Sequence, residues 1–296
     1  MRRLVVLTLL MAGLVAAFPA AAKTQARGTS AGKIVFARNG DIWTIAPDGS
    51  ELRHLTRGKT VDGHPAWSHS RGTIAFLRAR RSVEHGRVWL MRADGTHRRR
   101  LSYSGPSLSS GTRALAYSTD GHLLAGGCKV TPDLTGKKWA VTVLDLTTGK
   151  SRIVCRYSSE GGIESLDWSP NGRRLAATVE YGGGSGLLMI DVAHGLLLKT
   201  HEGNHCTGSV SWRPDGRYLL CSVFNGPGSR LWTWLMRTDG SRVKRLGGNQ
   251  EDPVYSPDGS HYAFVSRNGV LECADADGSH VGTVYAGGGV WQPAWK

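Results

Sequence analysis

The sequence predicts an all-β chain: a six-bladed β-propeller of four-stranded antiparallel blades, its ring closed by the C-terminal strand joining the first blade. Three observations carry that expectation. An aromatic residue followed by a tight turn recurs, as in Trp168-Ser169-Pro170-Asn171-Gly172, Trp212-Arg213-Pro214-Asp215-Gly216 and Tyr255-Ser256-Pro257-Asp258-Gly259. The aromatic anchors fall at 67, 117, 168, 212, 255 and 295, so that neighbouring anchors are 40 to 51 residues apart. A period of about 20–50 residues marks a repeat architecture, and short strands with regular turns make it a propeller. The two chain ends, finally, hold complementary pieces of one unit.

Each unit follows one order. An innermost strand ends in an aromatic, as in His64-Pro65-Ala66-Trp67. The turn after it is built by Pro, which presets φ, Asp, which bonds back to its own backbone, and Gly, which takes a positive φ. A second, apolar strand comes next, such as Thr73-Ile74-Ala75-Phe76 or Tyr262-Ala263-Phe264-Val265. The third carries a tryptophan, as in Ile42-Trp43-Thr44-Ile45, Val88-Trp89-Leu90-Met91 or Leu231-Trp232-Thr233-Trp234. It ends in a hairpin turn at Asp48-Gly49, Asp94-Gly95, Asp239-Gly240 or Asp277-Gly278. The fourth is polar, as in Glu51-Leu52-Arg53-His54-Leu55 and Val243-Lys244-Arg245-Leu246, which suits an exposed sheet edge. Longer hairpins are expected at 80–87 and 129–138.

The ends fit together. Gly32-Lys33-Ile34-Val35-Phe36 reads as a second strand with no innermost strand before it, and Trp291-Gln292-Pro293-Ala294-Trp295-Lys296 as an innermost strand with nothing after it. Pro293-Ala294-Trp295 repeats Pro65-Ala66-Trp67. Together they complete one blade.

Residues 1–22 read as an export signal: Arg2 and Arg3, an apolar run from Leu4 to Phe18, and a small-residue cleavage site at Ala20-Ala21-Ala22. Cleavage would leave 274 residues (296 minus 22), with a short linker over 23–31 and the propeller over 32–296. A periplasmic or secreted location follows, with membrane contact only through that segment were it retained. The net charge is +14. A basic balance favours acidic partners, but the cations are scattered, with short runs only at Arg78-Ala79-Arg80-Arg81 and Arg98-Arg99-Arg100. That scatter argues against nucleic acid, which is met by a basic stripe.

The five cysteines, at 128, 155, 206, 221 and 273, could pair in an exported protein, with one left over. No CxxC pair is present, so no cysteine zinc site is expected. Gly28-Thr29-Ser30-Ala31-Gly32 matches the nucleophile-elbow pattern without its strand–turn–helix context. Gly182-Gly183-Gly184-Ser185-Gly186 lacks the helix and Gly-Lys-Ser/Thr of a phosphate loop and reads as a hairpin tip. His64, His201 and His205 lie near strand or inter-blade segments that could approach the channel.

The run Pro-x-Trp-Ser-Pro-Asp-Gly, an apolar strand, then Ile-Trp and a later Asp-Gly, resembles the WD-type repeats of the TolB family of β-propellers over residues 32–296. It is also similar to the propeller part of prolyl-oligopeptidase-type peptidases. The resemblance implies the propeller fold and, for TolB, a periplasmic protein-binding role. TolB proper has an N-terminal α/β domain and the peptidases a hydrolase domain, and the sequence shows neither.

Segments entering the innermost strands place Asp62, His64, Glu160, Glu164, Glu251, Asp252 and Trp291 around one channel mouth. Loops on a rigid scaffold are where binding residues sit, and clustered acids fit a cation or a basic peptide. The repeat tryptophans read as blade-to-blade core. The expectation is an exported, non-enzymatic, monomeric propeller binding a protein or peptide partner, with no catalytic residues, metal or cofactor. The alternatives are a channel-centred hydrolase or lyase acting on an anionic polysaccharide, with His64 and His205 in its channel, and a purely structural surface module.

Overall fold

The structure, a computed structural model, describes residues 32–295 apart from 69, 84–85, 109–113, 131–135, 137, 159–161, 182–183, 196, 202–205 and 225–230. The export signal and most of the linker lie outside the described residues.

Six four-stranded antiparallel sheets form the ring. Blade 1 is assembled from both ends: Val290–Trp295 (β24) is innermost, followed outward by Ile34–Arg38 (β1), Asp41–Ile45 (β2) and Arg53–His54 (β3). The other blades run outward in chain order. Blade 2 is Val61–Ser68 (β4), Thr73–Ala79 (β5), Arg87–Arg92 (β6) and Arg99–Arg100 (β7). Blade 3 is Leu115–Tyr117 (β8), Leu123–Lys129 (β9), Trp139–Asp145 (β10) and Lys150–Tyr157 (β11). Blade 4 is Ile163–Trp168 (β12), Arg174–Tyr181 (β13), Gly184–Asp191 (β14) and Leu197–His201 (β15). Blade 5 is Cys206–Trp212 (β16), Tyr218–Phe224 (β17), Leu231–Arg237 (β18) and Arg242–Gly248 (β19). Blade 6 is Gln250–Tyr255 (β20), His261–Ser266 (β21), Leu271–Asp275 (β22) and Gly282–Tyr285 (β23).

The closing register is Ile34 opposite Trp295 and Val35 opposite Ala294, so the two termini meet where the repeat alignment puts them. Turn chemistry fixes the blades. In blade 6 the Ser256 hydroxyl donates to the Asp258 carboxylate at 2.6 Å and accepts the His261 amide at 3.0 Å. Ser169 and Asn171 repeat the arrangement in blade 4 and Ser118 and Asp120 in blade 3. Gly172, Gly216 and Gly259 take φ near 70°, a region open to glycine without steric cost.

The core lies between blades. Ile34, Phe36 and Trp295 of blade 1 pack with Ala263, Val265 and Leu271 of blade 6. Trp291 lies over Gly63 of blade 2, where a Cβ would run into its ring. The outer strands β3 and β7 are two residues each, shorter than the polar runs suggest, which limits the free edge they present. All five cysteines are buried free thiols, so the pairing an oxidising compartment would favour is not formed.

Candidate functional site

The innermost strands surround a channel cavity of about 360 Å³. Its wall carries the aromatic anchors Trp67, Tyr117, Trp168, Trp212 and Tyr255. These are buried and belong to the blade packing: Trp168 Nε1 donates to the Ala116 carbonyl of blade 3 at 3.0 Å.

At the end where the inner strands begin, the ladders are broken by bulges. In β4 the three-residue step from Gly63 to Ala66 faces the two-residue step from Leu77 to Ala75. β20 does the same between Glu251 and Val254, and β24 between Trp291 and Ala294. The bulged residues are His64, Asp252 and Gln292, with φ of 51°, 49° and 50°. None is glycine, and each precedes a proline: Pro65, Pro253 and Pro293. Proline has no N–H for the ladder and sits in sheets at edges or bulges. A bulge re-aims its side chain, and non-glycine residues in the left-handed region gather at functional sites. All three line the cavity. In β12 the extra residue is Glu164, between Ile163 and Ser165; in β16 the four-residue step from Cys206 to Val210 faces a two-residue step, with Gly208 at φ 72° inside it.

Hydrogen bonds pass from bulge to bulge around the mouth. The Gly208 amide of blade 5 donates to Glu164 Oε2 of blade 4 at 2.8 Å. The Gln292 amide of blade 1 donates to Asp252 Oδ2 of blade 6 at 3.0 Å. The His64 amide of blade 2 donates to Gln292 Oε1 at 3.2 Å. A second tier lies deeper: the Val210 amide donates to Ser165 Oγ at 3.1 Å, Trp212 to Asp167 Oδ2 at 2.7 Å, and Tyr255 to Ser211 Oγ at 3.2 Å. Side chains of one blade therefore hold the backbone of the next.

Of the residues expected at the mouth, His64, Glu164 and Asp252 come together in the cavity wall. Glu251 is exposed beside Asp252. Trp291 is turned into the seam between blades 1 and 2, its ring edge-on to His64 with centroids 5.3 Å apart. Asp62 is 1% exposed and held by Arg78, whose Nε and Nη2 donate to its two carboxylate oxygens at 2.7 and 2.6 Å. Glu160 and His205 lie outside the described residues. Among the described residues no group of three His, Cys, Asp or Glu side chains could hold a metal ion. Gln292, Gly208 and Asp167 were not expected. The signal for Gln292 was present, because Pro293-Ala294-Trp295 aligns it with His64.

Electrostatics single out Asp252. Burial pushes its carboxyl up from 3.8 to about 6, against the Gln292 amide, with the charges of Glu251 and Glu164 adding to the rise. A folded pKa above the unfolded one gives a contribution to stability that is full below about pH 4 and lost as pH rises through about 6. Two units at about 1.4 kcal/mol each put the loss on the order of 3 kcal/mol. Asn at this position keeps an acceptor for Gln292 and never ionises. Asp252→Asn is therefore expected to be more stable than the parent at pH 8 and to match it near pH 4, in urea titrations at both pH values. A parent-like pH dependence in the variant would show that the site titrates elsewhere.

No protein-family model matches the chain, and no curated protein matches it in sequence. Solved structures do match its fold. TolB from Acinetobacter baumannii aligns with a TM-score of 0.71 at 18% identity, over 90% of this chain and 67% of that one. A putative TolB from Agrobacterium tumefaciens aligns with a TM-score of 0.65 at 20% identity, over 88% of this chain and 92% of that one. A chain of a nidogen/laminin complex aligns with a TM-score of 0.70 at 10% identity, over 90% of this chain and 98% of that one. The shared property at these identities is the six-bladed fold, as the repeat motifs imply.

Proposed function

We propose that this chain is an exported, non-enzymatic propeller that captures a basic segment of a protein or peptide at the mouth built from the inner-strand bulges. The observation that carries the reading is the convergence of Glu164 and Asp252 in one cavity, both at inner-strand bulges, with Asp252 accepting a left-handed backbone although it is not glycine. A buried carboxyl that is destabilised at neutral pH is kept at a cost to folding, and a cation placed beside it would offset that cost. Glu251 extends the acidic surface to the rim. The shared fold with TolB proteins supports the reading at the level of architecture, and the apolar run at 4–18 supports export.

The test is capture from envelope extract on immobilised protein. Glu164→Gln and Asp252→Asn keep the acceptors for Gly208 and Gln292, so the fold is spared, and Glu251→Gln removes the rim charge. The triple variant is expected to lose at least about tenfold in recovered partner, since each desolvated charge pair lost is worth about 1.5 kcal/mol or more. Equal recovery on parent and variant would sink the mouth as the binding face.

A further inference from the structure

Formal charge is unevenly divided among the blades. Residues 61–101, which build blade 2, hold nine arginines, no lysine and three acids, a net +6. Residues 250–289, which build blade 6, hold six acids and one arginine, a net −5. Blade 2 is thus one of two strongly basic blades, since residues 206–248 of blade 5 hold seven cations and two acids, a net +5; what sets blade 2 apart is how its arginines are displayed.

Blade 2 displays much of this charge at its outer edge. Arg100 pairs opposite Trp89 and Arg99 opposite Leu90. Successive residues of a strand face opposite sides. Arg87 and Arg100 therefore stand on the Trp89 side of the sheet, and Arg92 and Arg99 on the Leu90 side. All four are exposed, and none makes a side-chain hydrogen bond or ion pair among the described residues. They flank the free edge along the length of β6, about 17 Å. Arg98 is spent differently, donating to the Leu55 and Gly95 carbonyls at 2.6 and 2.8 Å. A charge or two on an edge strand serves to block edge-to-edge pairing. That role does not call for arginine to the exclusion of lysine, nor for four free guanidiniums. The planar fork of arginine matches carboxylate, sulfate and phosphate two-pronged, which lysine cannot do.

The surroundings narrow the class of polyanion. The exposed large hydrophobics among the described residues are Leu52, Val243 and Val281, none on blade 2, so the patch has no apolar wedge for a lipid surface. Trp89 is half-buried and covered by Arg78, whose guanidinium carbon lies 4.8 Å from the ring centroid. No bare aromatic of this edge is left for bases to stack on. We propose that the outer edge of blade 2 binds an acidic polysaccharide, whose carboxylate or sulfate groups pair with Arg87, Arg92, Arg99 and Arg100.

The experiment measures affinity for two probes, heparin and polygalacturonate, at about 0.15 M salt. The blade 2 variant carries Arg87→Gln, Arg92→Gln, Arg99→Gln and Arg100→Gln. The control carries Arg173→Gln, Arg217→Gln, Arg237→Gln and Arg267→Gln, which remove the same charge from exposed positions on blades 4, 5 and 6. The blade 2 variant is expected to lose at least about tenfold in affinity for whichever glycan the parent binds, and the control less than about threefold. The parent melting temperature should persist in both, because exposed unpaired side chains contribute little to stability. Equal losses in the two variants would reduce the patch to net charge and overturn the proposal. So would absence of binding to both glycans, or tighter binding to single-stranded DNA or to phosphatidylglycerol vesicles than to either glycan.

Discussion

Removing residues 290–296 is expected to unfold the ring rather than fray one end. The deletion strips blade 1 of β24, its innermost strand, and exposes the inner edge of β1 and the inter-blade seam with blade 6. Trp295 is 1% exposed and among the largest buried side chains; truncating such a residue to alanine alone costs about 3–5 kcal/mol. Losing the ladder and Val290 as well exceeds a typical domain stability of about 5–15 kcal/mol in part or in whole. Thermal melting should show either no cooperative transition or a fall of at least about 10 °C. The point variant Trp295→Ala, expected to lose about 3–5 kcal/mol in urea, separates loss of packing from loss of the strand. A truncated protein with the parent melting temperature would mean that ring closure adds nothing to stability.

Asp62→Ala is expected to cost about 3–5 kcal/mol, because it leaves the Arg78 guanidinium inside the protein without its carboxylate. Arg78 has a side chain only 16% exposed and Asp62 one of 1%. The two-pronged bond to Asp62 raises the Arg78 pKa further above its ordinary value, against the effect of burial. The guanidinium also lies over Trp89 and Phe76, so it is fixed in place and cannot swing out to water. Replacing both partners, as in Asp62→Ala with Arg78→Met, should recover much of the loss, since an apolar pair carries no desolvation penalty. Urea titration of the three variants gives the coupling directly. Additive losses in the double variant would show that the pair is not a unit. This makes Asp62, read from the sequence as a mouth acid, an architectural residue of blade 2.

The fold was legible because its signals are local and repeated. Pro-Asp-Gly and Asp-Gly turns fix hairpins by their own backbone chemistry, and the aromatic at each inner-strand end marks the period. Even the pairing of Ile34 with Trp295 could be read, since Pro293-Ala294-Trp295 copies Pro65-Ala66-Trp67. The site was legible only in part. Acids near inner-strand entries could be located, but where each side chain points depends on bulges, and a one-residue bulge switches a side chain to the other face. Asp62 and His64 are two apart and so nominally share a face. His64 is itself the bulged residue and reaches the cavity, while Asp62, still in the regular ladder, meets Arg78. The prolines at 65, 253 and 293 were the available marker of those bulges. Glu164 and Gly208 had no such marker, because their inner strands carry no proline at the bulge.

The shared blade also sets the order of folding. Ile34 and Trp295 are partners separated by 261 positions (295 minus 34). Bringing such distant segments together in an unstructured chain would cost about 5 kcal/mol on the loop-closure scaling. Once blades 2 to 6 have formed, each leaving its end beside the next, the two segments already lie side by side and that cost has vanished. Blade 1 is therefore expected to be the last to form, with the ring shutting only after residue 295 has left the ribosome. During that interval β1 offers an unpaired apolar edge, Ile34-Val35-Phe36-Ala37, all of it buried in the finished protein. That edge is the segment a holding chaperone would recognise, and the one through which incomplete chains would aggregate.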